Sequence, residues 1–556
     1  MPADKVLIVS GGYVSVKDRS ALHALRKQIA AFRASDAPWY DVHLKVLNAE
    51  HLLAVRRHRS SLAFRRSPGC DVVKKYFADE RLFNPPELSD VILTTLMRAE
   101  GIETASATYS ELFEDHDLRR RLLDECGCVF ASATLLRDMS ELVPMVAMLD
   151  RPDNHVVVGG ALAGLVHKDW PGCPGVDVLA VGYGEMMARS LADWIRGGYG
   201  EIKPPYTGRV EHKKGVVFLY SGVPEDRGLD FLPTPDWSLA ERVHGARFPF
   251  IHYESSRGCP YRCAFCSYPY LFDDRRYRIK SAKRIADEWT GYAASGVEYV
   301  SCLDSLFTLP RKRLVELCGR LIDAGSPIRW LCYARGDDLA ENGFDDVDIC
   351  RLMRRAGCIQ VQMGIESGNQ GILDNMDKHA TVEAGAAAIE NCRKAGIATF
   401  ISVILGFPGE TAETVMDTWN FISQTRPDFC YATPFTVRVP HLPVLNPESR
   451  RRFGILTHGS NRSSSPYWRH DTMSALEVGH WWRWIHRRMM TEGASLDASL
   501  FYKGMLNYSR AVHRQPLLDF QRQAVTRHPI LRAVFAGARR WSEKRLAEDM
   551  KLAGLA

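Results

Sequence analysis

At 556 residues the chain is long enough for three or four domains of about 150 residues, each with its own core. Hydrophobic residues at 46% and charged residues at 25% are the balance of a globular protein, and no run approaches the roughly 18 uninterrupted apolar residues of a membrane span. A formal charge of +6, from 72 basic and 66 acidic residues, gives no electrostatic reason to expect nucleic acid.

The start, MPADKVLIVSGG, runs into a strand with no sign of a secretory signal, so a cytoplasmic location is expected, with the 14 cysteines reduced. After this strand comes a long insertion containing Arg56, Arg57, Arg65, Arg66, Lys74 and Lys75, which reads first as a solvated surface. The amphipathic helix PELSDVILTTLMRAEG follows, with Leu88, Val91, Ile92 and Leu96 on one face. IETASATYS, CGCVFASATLL, HVVVGGALAG and VDVLAVGYGE are then successive strand-to-turn units, and five such strands make an open doubly wound sheet. Ser132, Thr134, Gly159, Gly160, Ala161, Gly182 and Gly184 collect at the carboxyl ends of the strands, where small residues let a large flat ligand approach the backbone. A dinucleotide fingerprint is missing: no G-x-G-x-x-G follows the first strand.

Prolines at 204, 205, 224, 233 and 235 mark residues 201–245 as a linker. Beyond it, Cys259, Cys263 and Cys266 form a C-x3-C-x2-C run. At a cysteine frequency of 14 in 556, this spacing arises by chance only about 0.01 times in such a chain. A structural zinc site would want four closed ligands, and no second pair stands nearby; three thiolates suit a [4Fe-4S] cluster whose fourth iron stays open. Strand-like runs (VEYVSCLD, IRWLCYAR, IQVQMGIES, ATFISVILGFPG, FCYATPFTV) then alternate with helical patterns, the order of parallel βαβ units. Gly296, Gly325, Gly357 and Gly396 stand where helix C-caps are expected. After about residue 440 the alternation stops and a basic, aromatic-rich helical tail follows; Tyr467, Trp468, Trp481, Trp482 and Trp484 either dock helices or line a substrate pocket.

The cysteine run, with Phe265 at its aromatic position, resembles the signature of the radical S-adenosylmethionine (SAM) enzymes. The resemblance implies that SAM chelates the open iron. It also implies contacts to SAM from the strand-end motif Gly364-Ile365-Glu366-Ser367, from the loop Gly406-Phe407-Pro408-Gly409-Glu410, and from Arg335 and Asp304, although Leu303-Asp304-Ser305 replaces the family's usual Gly-Gly-Glu. The first sheet, with Gly159-Gly160 and Gly182-Tyr183-Gly184-Glu185, resembles the cobalamin-binding domain of class B radical SAM enzymes. The D-x-H-x-x-G box that supplies a histidine to cobalt is absent; Asp115-His116-Asp117 does not fit it, so a lower face without histidine is implied.

The expected α/β architecture is a cobalamin-binding Rossmann-like domain (1–200), the linker (201–245), a partial (β/α)6 radical SAM barrel (246–440) and a mainly helical C-terminal domain (441–556). The resemblance implies a methyltransferase using a [4Fe-4S] cluster, SAM and cobalamin. It would move a methyl group from SAM by way of cobalamin to a carbon of a small-molecule or peptide natural product, such as an antibiotic precursor. An external flavodoxin- or ferredoxin-type reductant is implied; the oligomeric state is open. Rivals are non-radical methylation of an sp2 carbon such as tryptophan C2, a cobalamin-dependent oxidase or cyclase, and a cobalamin-binding sensor. Methylthiotransferases share the barrel signature, but Cys70, Cys126, Cys128 and Cys173 do not form their second cluster set. The 11 cysteines outside the run are expected to be buried apolar residues.

Overall fold

The apolar runs become two parallel sheets whose carboxyl ends face a common seam. The computed structural model describes residues 5–13, 21–78, 85–272, 274–340, 344–437, 442–459, 466–527 and 529–555. Strand β1 (Lys5–Ser10) is buried from Val6 onward, as a strand covered on both faces must be. The insertion behind it carries helices α1 (Pro38–Arg59) and α2 (Cys70–Ala78). Helix α3 (Leu88–Ala99) returns the chain to β2 (Glu103–Thr108), β3 (Cys128–Ser132), β4 (His155–Gly159), β5 (Val178–Val181) and helix α4 (Gly184–Arg196).

The sheet does not stop at five strands. β6 (Arg209–Lys213) and β7 (Val216–Tyr220), inside the stretch expected to be linker, complete a seven-stranded sheet of order β2-β1-β3-β4-β5-β7-β6. β7 lies parallel to β5, and β6 closes the edge antiparallel to β7. Between them Lys214 and Gly215 both take positive φ (52° and 77°), the two-residue hairpin geometry whose twist matches its strands. The flanking prolines hid this hairpin in the sequence.

β8 (Phe250–Tyr253) opens the second sheet and is followed by an antiparallel ribbon of β9 (Ser256–Arg257) and β10 (Arg278–Ile279). Then come α5 (Ala282–Ala294), β11 (Tyr299–Cys302), α6 (Arg311–Asp323), β12 (Arg329–Arg335), α7 (Phe344–Arg355), β13 (Cys358–Glu366), α8 (Val382–Ala395), β14 (Ala398–Leu405), α9 (Ala412–Thr425) and β15 (Phe429–Pro434). The six strands β8-β11-β12-β13-β14-β15 are parallel, giving the expected partial barrel, and the four C-terminal glycines all have positive φ.

The tail is less purely helical than expected. β16 (Leu456–His458), β17 (Tyr467–His470) and β18 (Met473–Ser474) form a small antiparallel sheet. After α10 (Ala475–Glu492), the two-residue β19 (Leu496–Asp497) adds a seventh strand beside β15. Helices α11 (Arg510–Thr526) and α12 (Pro529–Leu552) complete the chain, while the expected boundary at 440 falls outside the described residues. Trp482 docks α10 on the barrel, its indole N–H donating to the Ala432 carbonyl (2.7 Å), and Trp468 packs edge-on to Phe435 (5.4 Å).

The N-terminal insertion belongs physically to this tail: α1 packs along α11 and α12, and α2 along α11. Phe64 and Phe77 meet the Phe520 ring at 5.0 and 5.8 Å, and Arg539 of α12 pairs with Glu50 of α1. The six basic residues named in the insertion are exposed, so the solvated-surface reading holds for them. Every cysteine outside the C-x3-C-x2-C run is buried, and no helix among the described residues is long and apolar enough to cross a membrane.

Phe520→Ala is expected to cost about 3–5 kcal/mol, the range for truncating a buried aromatic. Limited proteolysis should then release cuts near residues 60–70 and 505–530 together, and release of one segment without the other would contradict a shared layer.

Candidate functional site

The three cysteines lie on the loop that leaves β9, at the carboxyl end of the barrel. Cys263 is buried, while Cys259 and Cys266 are partly open. The loop does not hold itself. Ala264 donates its N–H to the Met376 carbonyl (2.8 Å) and accepts from the Val444 N–H (3.0 Å), so the barrel grips one side and the C-terminal region the other. The Arg335 guanidinium stacks on Tyr261 (3.8 Å) and brings Nη1 to 3.9 Å from the Cys263 sulfur. Burial pushes the Cys263 thiol up and the Cys266 thiol up to about 12, with Lys378 opposing the shift at both and Arg335 at Cys263. Among the described residues, no three His, Cys, Asp or Glu side chains converge as ligands of a single ion. Three thiolates on one partly open loop, with cations to balance them, fit a cubane that takes one thiolate per iron.

Several of the expected SAM contacts surround this loop. In β13 the register slips between Gly364 and Glu366, and Glu366 takes φ 66°, uncommon for a residue with a Cβ. The kink folds its carboxylate back over Gly364, where a Cβ would lie 2.2 Å from Oε1, and toward Lys378 Nζ at 3.1 Å. Phe265 packs edge-on to Phe407 (6.3 Å), linking the cysteine loop to the Gly406–Glu410 turn. The Pro408 carbonyl accepts from the Asn375 side-chain amide (3.3 Å). Gly406 has φ 79° beneath Val478 and Trp468, leaving no room for a Cβ, and its carbonyl accepts from His470 Nε2 (3.2 Å). Inside the turn, the Glu410 carboxylate accepts the Gly406 N–H.

Two expected contacts are spent elsewhere. Asp304 is 1% exposed and accepts from the Ser255 N–H (2.7 Å) and Ser255 hydroxyl (3.1 Å), so it braces the turn between β8 and β9 and is not presented to a ligand. Ser367 is fully buried, with its hydroxyl 3.2 Å from Thr418 Oγ1 and accepting from the Asn369 N–H (3.1 Å). Both lie at strand ends as expected, but side-chain direction was invisible in the motif. Lys378, in contrast, stands in a loop with no pattern to mark it.

The first sheet supplies the other half of the site. One cavity of about 290 Å³ gathers Ser132, Thr134, Gly159, Gly160, Ala161, Gly182, Gly184 and Glu185. Its floor needs glycine: at Gly160 φ is 95°, and a Cβ would meet Thr134 Oγ1 at 2.4 Å. An apolar slot formed by Ile92, Met97, Phe130, Val157, Met187 and Leu191 leads between the sheet, α3 and α4. The opposite wall comes from the barrel, through Glu254, Arg257, Tyr268, Leu271, Phe272 and Leu303, none of which the sequence marked as a contact. No histidine lines the cavity among the described residues.

Residues 253–422, which hold the cysteine loop and most of the second sheet, match the model of the Radical SAM superfamily, and this part of the chain is a radical SAM domain. The chain is 30% identical over 272 residues to an uncharacterized methyltransferase of Pyrococcus horikoshii, covering 48% of this chain and 57% of that one. It is 27% identical over 321 residues to the anaerobic magnesium-protoporphyrin IX monomethyl ester cyclase of Rubrivivax gelatinosus, with 56% of each covered. The chain thus spans a little over half the length of these curated relatives. The structure of the radical SAM methyltransferase TsrM from Kitasatospora setae, with tryptophan and a SAM analogue bound, is similar in fold. Its TM-score is 0.51 at 20% identity, covering 64% of this chain and 71% of that one.

Burial holds the Glu410 carboxyl up to about 8, against hydrogen bonds that favour its charged form. A carboxyl raised in the folded state keeps its proton while the unfolded chain loses it, so stability falls as pH rises from about 4.5 to about 8, by up to about 1.4 kcal/mol per pH unit. Glu410→Gln should therefore match the parent in melting temperature at pH 5 and exceed it increasingly toward pH 8; parallel curves would refute this titration.

Proposed function

We propose that this protein is a cobalamin-dependent radical SAM methyltransferase acting on a carbon of a small-molecule, amino-acid or peptide natural-product intermediate. The observation that carries this reading is the cavity between the sheet ends, which has a glycine floor on one side and the cysteine-bearing domain on the other. The residues fit a corrin. The glycine floor would let a flat ligand lie against the backbone, and the apolar slot would take a heteroaromatic group beside it. When bound, the cluster supplies one electron for SAM cleavage, and cobalamin carries the methyl group.

The chain's own part is placement. Cys259, Cys263 and Cys266 hold the cluster, with Arg335 and Lys378 offsetting the charge of the thiolates. Gly364 and Glu366 at the end of β13 and the Gly406–Pro408 turn would edge the SAM side. A net charge of only +6 gives no electrostatic support for a nucleic-acid substrate. A reducing cytoplasm and a flavodoxin- or ferredoxin-type donor complete the proposal.

Anaerobically prepared protein, supplied with cobalamin, SAM, reductant and candidate substrates, should yield a product about 14 Da heavier, the mass of one CH2, with 5′-deoxyadenosine and S-adenosylhomocysteine in comparable amounts. S-adenosylhomocysteine alone would replace the radical route by direct methylation of an sp2 carbon, and deoxyadenosine alone would favour oxidation or cyclisation. Cys263→Ala should lose most bound iron and sulfide and reduce SAM cleavage at least a hundredfold; a cobalamin-binding sensor would be indifferent to it.

A further inference from the structure

Two residues before the first cysteine stands Arg257, and it reaches into the other domain. Its Nη1 and Nη2 donate to the two carboxylate oxygens of Glu185 (3.0 and 2.6 Å), while Nε and Nη2 donate to Glu254 (2.9 and 2.8 Å). The guanidinium also lies against two aromatic rings that pack on each other, Tyr183 at 4.9 Å and Phe272 at 5.2 Å. Glu185 sits in the first turn of α4, immediately after the Gly182-Tyr183-Gly184 turn of the cavity floor, and Glu254 follows β8. One buried side chain therefore joins the floor of one cofactor cavity to the loop that carries the other cofactor's ligands.

Neither end of the link is free to drift. Arg257 is paired across the β9–β10 ribbon with Arg278, and the chain then turns at Gly258 (φ 76°), where a Cβ would lie 2.3 Å from the Arg276 carbonyl oxygen. A forked, two-point bond between planar groups fixes orientation as well as distance, which a lysine at the same place does not do. A displacement of α4 by a ligand on the floor is thus delivered toward Cys259 through the fork, with Tyr183 Oη donating to Asp274 (3.2 Å) as a second tie between the same turn and the ribbon.

We infer that Arg257 is a positioning residue that couples the two cofactor sites, so that cobalamin in the cavity and SAM at the cluster each strengthen the binding of the other. The inference rests on the function proposed above. By linkage the coupling factor is the same from either side and is expected to be about five-fold or more.

The test is an absorbance titration of cluster-loaded protein with cobalamin, with and without SAM, paired with electron paramagnetic resonance of the reduced cluster with and without cobalamin. In the parent, SAM should lower the cobalamin Kd about five-fold or more, and cobalamin should alter the cluster spectrum. Arg257→Lys should keep its iron content, and whatever its own cobalamin Kd becomes, the SAM effect on that Kd should collapse to near one-fold and the spectrum should no longer respond. Glu185→Gln is the second arm, expected to lose the same coupling, and the double variant should lose no more than either single one. A purely structural role would lower the melting temperature and leave the ratio of the two Kd values unchanged, and that result overturns the inference. So does a parent that binds cobalamin with no SAM dependence. A parent that loads its cluster and binds no cobalamin overturns the proposed function and the inference with it.

Discussion

Between the carboxyl ends of the two sheets, the segment from Glu254 to Phe272 is held from three directions. Barrel and C-terminal backbone grip Ala264, the ribbon with β10 fixes Arg257, and the Arg257–Glu185 fork ties the segment to the first sheet. Three cysteines spaced a few residues apart have no geometry of their own, because a loop's conformation is set by what its backbone can bond to. The candidate site therefore depends on domain packing more than on the motif that announces it.

Charged pairs, most of them buried, surround that seam. Glu366 with Lys378, Arg335 with Asp337, and Arg257 with Glu185 and Glu254 each hold charge near the cysteine loop at the cost of desolvation. Such pairs add little net stability compared with apolar packing, but they restrict which arrangements of the surrounding loops are low in energy. Burial would raise the Glu185 carboxyl, yet the Arg257 guanidinium beside it holds it below the usual range, so the fork remains charged near neutrality. Glu410 is the contrasting case: buried without a cation, it is held toward its neutral form inside the Gly406–Glu410 turn.

The N-terminal insertion and the C-terminal tail form a third layer, since α1 and α2 find their apolar partners on α11 and α12. That layer also closes the far side of the barrel mouth, where His470 bonds the Gly406 carbonyl and Trp482 bonds that of Ala432. Chain termini some 500 residues apart in sequence thus shape one edge of the site, a contact that no local pattern announces.

The sequence alone determined the two α/β domains, because strands buried on both faces read as apolar runs and helices as 3.6-residue patterns. It also determined the cysteine loop and the small-residue cradle, since thiolate spacing and missing side chains are visible residue by residue. Only the tertiary structure decided where side chains at the same strand ends point: Glu366 toward Lys378, Asp304 back onto Ser255, Ser367 into α9. It likewise decided that a proline-flanked hairpin extends the first sheet, and that Arg257, beside an obvious motif, belongs equally to the domain before it. The reason is one of range. Periodicity and spacing record what neighbours along the chain must do, whereas burial, pairing and charge balance at the seam arise only when distant segments pack.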